Sequence, residues 1–141
     1  MLFVDRSALV VRVADGRSGR TLWQHRVRAG ASFELRYRHS VERTPIVEVF
    51  RAEPDGMWFV EMRFVSQGAG LPADGYEREG DHFILRRPRR VGVLPLLVSS
   101  ASGHRLRVGH EDVDLVALAG DGQGVILAVA RTVVLTLPGR R

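Results

Sequence analysis

The 141-residue chain contains no cysteine, no lysine and no asparagine, and only two tryptophans and two tyrosines. Without cysteine there is no disulfide framework, thiol nucleophile, zinc–thiolate site or iron–sulfur cluster, which confines any chemistry to histidine, carboxylate and hydroxyl groups. No stretch of about 18 consecutive apolar residues occurs, so no membrane-crossing helix is expected. The amino terminus shows no basic region followed by a long apolar core, which reads as a soluble chain without a secretion signal.

What is present is a globular composition, with 45% apolar and 26% charged residues. A length near 140 points to one domain over residues 1–141, able to bury roughly two thirds of the surface of its unfolded chain without a metal or disulfide staple. All 21 basic residues are arginine, and the net charge is +5. That charge invites a nucleic-acid reading, which depends on clustering. Most arginines instead stand singly at alternating positions of apolar runs, as Arg26, Arg28, Arg36, Arg38, Arg105 and Arg107 do. Arg86, Arg87, Arg89 and Arg90, around Pro88, form the one cluster and are candidates for contact with an anion, a lipid headgroup or an acidic partner; their plainer reading is a solvated loop between strands. No aromatic platform is interleaved with them, which argues against nucleic acid.

The hydrophobic period is two almost throughout. Residues 8–14 and 21–27 read as a hairpin around Asp15-Gly16. Phe33, Leu35 and Tyr37 alternate with Glu34, Arg36 and Arg38. Residues 45–53 and 57–66 flank the turn signal Pro54-Asp55-Gly56. Residues 67–81, rich in glycine, read as a long functional loop. Strands resume at 82–86, 91–99, 104–108, 112–119, 124–130 and 132–137. No helical window of ten residues is evident. About nine to ten short strands with regular turn signals predict an all-β, single-domain antiparallel sandwich or barrel.

Three groupings carry candidate chemistry. His39-Ser40-Val41-Glu42 lies between two predicted strands, with Glu48 shortly after. A nucleophilic reading needs His39 to reach Ser40, but neighbours in a strand point to opposite faces, and no Gly-x-Ser-x-Gly elbow is present. A metal reading combines His39, Glu42 and Glu48, at a spacing that matches no compact motif; the plainer reading is a corner in which His39 hydrogen-bonds backbone. Glu48 stands between apolar neighbours on both faces and reads as a buried carboxylate needing a partner, for which Arg36, Arg38 and Arg63 are the expected sources of charge. Gly68 and Gly70 stand in a loop whose amides would suit an anion, although no helix follows as in a phosphate loop.

The runs Phe33-Glu-Leu-Arg-Tyr37-Arg-His39-Ser40-Val41-Glu42, Thr44-Pro45-Ile-Val-Glu48 and Phe64-Val-Ser66 leading to Gly68-Ala-Gly70-Leu71-Pro72 resemble the bacterial family catalogued as domain of unknown function 1850. The resemblance extends from about residue 9 to 130. It implies an association with tripartite ATP-independent periplasmic (TRAP) transporters of the TAXI branch, and hence a place at the outer, periplasmic face of the cytoplasmic membrane. The family motif falls here on Tyr37, His39, Ser40, Glu42, Pro45, Glu48, Gly68, Gly70 and Pro72, without assigning them a reaction. The expectation is therefore a non-enzymatic accessory or binding module, needing no cofactor. Its expected partners are a TRAP permease, a solute-binding subunit or a small anionic ligand. The alternative is a metal-dependent or acid–base enzyme using His39, Glu42 and Glu48.

Overall fold

The computed structural model describes residues 2–65 and 74–139. Thirteen strands and one short helix occur among them: β1 (Phe3–Asp5), β2 (Leu9–Asp15), β3 (Thr21–Val27), β4 (Ser32–Arg38), β5 (Pro45–Glu53), β6 (Gly56–Phe64), β7 (Glu77–Glu79), β8 (His82–Val91), β9 (Leu94–Leu97), β10 (Arg105–Val108), β11 (Glu111–Asp114), α1 (Leu115–Ala119), β12 (Gly124–Arg131) and β13 (Val134–Thr136). A seven-stranded sheet has the order β11-β10-β4-β5-β6-β8-β7, a four-stranded sheet the order β3-β2-β12-β9, and β1 pairs with β13 alone. All pairings are antiparallel. Neither large sheet closes on itself, so the architecture is a sandwich rather than a barrel.

One core joins the two sheets. Phe33 and Leu35 of β4, Phe50 and Ala52 of β5, Met57 and Phe59 of β6, and Leu106 and Val108 of β10 come from the large sheet; Leu9, Val11, Val13, Val125 and Leu127 come from the small one. The alternation of β4 explains its share, since period two turns Phe33 and Leu35 inward and Glu34 and Arg36 outward. Phe33 and Phe50 stack with ring centroids 5.6 Å apart, and Phe59 meets Phe50 edge-on at 5.9 Å. The edges of the large sheet are blunted by charge, with Glu77 and Glu79 on β7 and Glu111 and Asp112 on β11.

Three expectations change. The count of nine to ten strands was too low, because β1 and β7 are only three residues long and carry too little pattern to be seen. Residues 112–119 are not one strand: Asp114 takes hydrogen bonds from the backbone N–H groups of Val116 (3.0 Å) and Ala117 (3.2 Å) and starts a helical turn that Gly120 ends at φ 95°. Arg86 to Arg90 is not a loop either, since β8 runs through it to Val91. Pro88 is accommodated because the register with β6 shifts there: Glu61 faces Arg86 and Phe59 faces Arg89, which leaves an additional residue on β8. A bulge tolerates a residue that has no N–H to give.

Candidate functional site

The family-motif residues separate into two places. At the β4–β5 corner, the His39 N–H donates to the Thr44 carbonyl (2.8 Å) and the Arg43 N–H to the His39 carbonyl (2.9 Å). His39 Nδ1 accepts from the backbone N–H groups of Val41 (3.3 Å) and Glu42 (3.0 Å), so the imidazole serves as a turn acceptor. Arg43 holds a left-handed φ of 60° to complete the bend. Ser40 and Glu42 are exposed.

Glu48 lies elsewhere. It pairs with Leu35, four residues along β5 from Thr44, which corresponds to about 13 Å along the strand. His39, Glu42 and Glu48 therefore do not converge, and among the described residues no group of three histidines or carboxylates is placed to hold a metal ion. Gly68 and Gly70 fall outside the described residues, and with them the expectation of an anion-binding glycine loop.

Glu48 faces inward, in a cross-strand row with Leu35, Met62 of β6 and Leu85 of β8. The hydroxyl of Tyr37, diagonal to it on β4, lies near enough to favour its ionised carboxylate. Burial pushes the Glu48 carboxyl up, partly offset by the Tyr37 hydroxyl and by the positive charge of Arg89. Burial, and then the neighbouring Glu48, push the Tyr37 phenol up as well, so it remains a donor. The ring of Tyr37 leans on His104 at 5.1 Å. His104 is 6% exposed, accepts from the Ser99 N–H at Nδ1 (3.4 Å), and is held toward its neutral form by burial. It is the residue against which the Tyr37 ring rests.

The charge facing Glu48 does not come from Arg36, Arg38 or Arg63. Strand alternation turns these to the outer face, where Arg36 pairs with Glu34 (2.7 Å) and Arg63 with Glu61 (2.8 Å). It comes from β8, the segment read as a loop. A cavity of about 360 Å³ opens above Glu48, lined by Phe50, Phe59, Met62, Leu85, Val91 and Leu94, with Arg87 and Arg89 among the lining residues. Arg89 lies over the Phe59 ring at 5.5 Å. The Arg87 guanidinium fills the space that a Cβ would need at Gly75.

The four arginines of the cluster therefore have two kinds of surroundings. Arg86 pairs with Glu77 and Glu79 (2.5 and 3.2 Å), and Arg90 Nε donates to the Asp55 carbonyl (2.9 Å). For Arg87 and Arg89, no carboxylate lies within ion-pair distance among the described residues. The apolar lining residues Phe59, Met62, Leu85 and Leu94 were not singled out from sequence as a site. The alternation Leu85, Arg87, Arg89, Val91 was the signal that could have found them, had it been read through Pro88.

A family model described as Domain of unknown function (DUF1850) matches residues 33–115, more than half of the chain. The chain belongs to this family. Its matched span runs from β4 to the first residue of α1 and so contains Tyr37, Glu48, His104 and the whole lining of the Glu48 cavity. No curated protein and no solved structure matches the chain. Among the described residues, no helix is long and apolar enough to cross a membrane.

Proposed function

We propose that this DUF1850 chain is a non-enzymatic binding module, that its site is the cavity above Glu48, and that its ligand is a small anion with an apolar body. The observation that carries this is the convergence of Arg87 and Arg89, neither with an acidic partner within ion-pair distance among the described residues, on a cavity lined by aromatic and aliphatic side chains. An apolar cavity with a few convergent polar groups is the usual form of a small-molecule site. A guanidinium pair would take a carboxylate, and Phe50, Phe59, Met62 and Leu94 would take the hydrocarbon. Glu48, with its raised pKa, tempers the positive field and opposes the ligand only when ionised.

The resemblance to the family supports placing such a module beside a TAXI-type TRAP transporter, in contact with its permease or its solute-binding subunit. Two experiments address the two levels. Nuclear magnetic resonance titration of the full chain with hexanoate should shift the amides of Phe59, Met62, Arg87 and Arg89; shifts confined to other regions would reject the site. Co-purification from a membrane extract with TRAP permease or solute-binding subunits is expected, and its failure together with unaltered uptake on deletion would reject the partner.

A further inference from the structure

Nine large apolar side chains are exposed among the described residues, and six of them belong to one feature: Leu2, Phe3, Val4, Val133, Leu135 and Leu137. All lie on or next to the ribbon formed by β1 and β13, which among the described residues pair only with each other. Val4 faces Leu135 across the ribbon, and Phe3 faces Thr136. Period two puts Val4 and Leu135 on one face, and Leu2, Val133 and Leu137 continue that face beyond the paired residues. It is apolar along its whole length and uncovered, with Leu135 62% and Leu137 75% exposed. Two short strands are marginal by themselves, and clustered exposed apolar side chains mark an interaction surface.

The root of the ribbon is basic. Where β1 runs into Arg6 and where Arg131 leads toward β13, an open cleft of about 800 Å³ is lined by Arg6, Arg26, Arg28 and Arg131. Asp5 is the acid in that lining, and its carboxylate is taken up by the N–H and hydroxyl of Ser7 (2.8 and 2.6 Å). No carboxylate lies within 4 Å of the basic nitrogens of these four arginines among the described residues. Arg131 is positioned by its Nε, which donates to the Pro54 carbonyl (2.9 Å).

We infer that this end of the molecule docks on an anionic bilayer surface, with the apolar face of the ribbon at the boundary between headgroups and acyl chains and the four arginines on lipid phosphates. The two features require each other for this assignment. Free phosphate or nucleic acid would neutralise the arginines and leave the ribbon in water. A second copy joined ribbon to ribbon would cover the apolar face but bring two arginine clefts together, which like-charge repulsion opposes. An anionic membrane supplies both apolar and negatively charged partners in adjacent layers, the arrangement that interfacial segments use.

Flotation of the full chain with phosphatidylcholine vesicles, with and without phosphatidylglycerol, tests this. Binding to the phosphatidylglycerol vesicles is expected to exceed that to phosphatidylcholine alone by tenfold or more and to weaken with salt, as about four arginines near the surface imply. Val4→Asp with Leu135→Asp should abolish it, and Arg26→Glu with Arg28→Glu should reduce it by at least about tenfold. All four positions are exposed, and circular dichroism of each variant confirms that the sandwich is intact. Overturning results are absence of wild-type binding, equal binding to both vesicles, wild-type behaviour of either double variant, full release by inorganic phosphate, or a solution dimer that Val4→Asp with Leu135→Asp converts to monomer.

Discussion

At the scale of single residues, Glu48 is a half-buried carboxyl on the inner face of the large sheet. Its carboxyl is pushed above the ordinary value of 4.5 by burial, with Tyr37 and Arg89 opposing. An acid whose folded pKa is raised favours folding most while protonated, and that contribution is lost as pH rises through the folded pKa. Wild-type stability is therefore expected to fall as pH rises above about 4.5 through this transition, and Glu48→Gln should lack that part of the fall. Urea unfolding at a series of pH values reads the difference, which should widen toward neutral pH; a constant offset would contradict it. His104 acts with the opposite sign: its pKa is held below 6.5 by burial, so its contribution is present at higher pH and fades on acidification. Tyr37→Phe removes the hydroxyl that favours the Glu48 carboxylate. It should cost about 1 kcal/mol at neutral pH, discounted for partial exposure, and raise the Glu48 pKa further. Carboxyl titration by nuclear magnetic resonance checks that direction.

At the scale of elements, local chemistry decided where period-two reading worked. β4 was legible because it alternates cleanly, and the β5–β6 hairpin because Pro54-Asp55-Gly56 marks its turn; the inner face of β6 was not, since a register shift brings Met57 and Phe59 into the core where plain alternation would place Trp58 and Val60 with Met62 and Phe64. The stretch after Asp112 was misread because Val113 and Leu115 alternate with Asp112 and Asp114, whereas Asp114 offers a carboxylate that two backbone N–H groups prefer to a ladder. Asp114→Ala should destabilise the protein by about 1 kcal/mol and loosen α1, seen as faster amide exchange at Val116 and Ala117. β8 was misread because Pro88 suggests a break, while a bulge lets the strand continue and turns Arg87 and Arg89 into the cavity.

At the scale of the molecule, the sandwich followed from alternation, but the order of its strands did not. Glu48 and Arg89 share a cavity because β5, β6 and β8 are neighbours, and Tyr37 reaches His104 because β10 lies beside β4, although each pair is distant in sequence. No spacing rule connects them, which is why His39 and Glu42, members of the motif close to Glu48 in sequence, drew attention that the inner face of the sheet redirects to Arg87 and Arg89. As proposed, the cavity above Glu48 takes an apolar anion. Calorimetric titration with hexanoate, and with hexylamine as the cation of matched size, tests it most directly. The expected result is a site for hexanoate that Arg89→Ala weakens by about tenfold or more and that Glu48→Gln preserves or strengthens at neutral pH. Binding of hexylamine in place of hexanoate, or hexanoate affinity unchanged in Arg89→Ala, would contradict it.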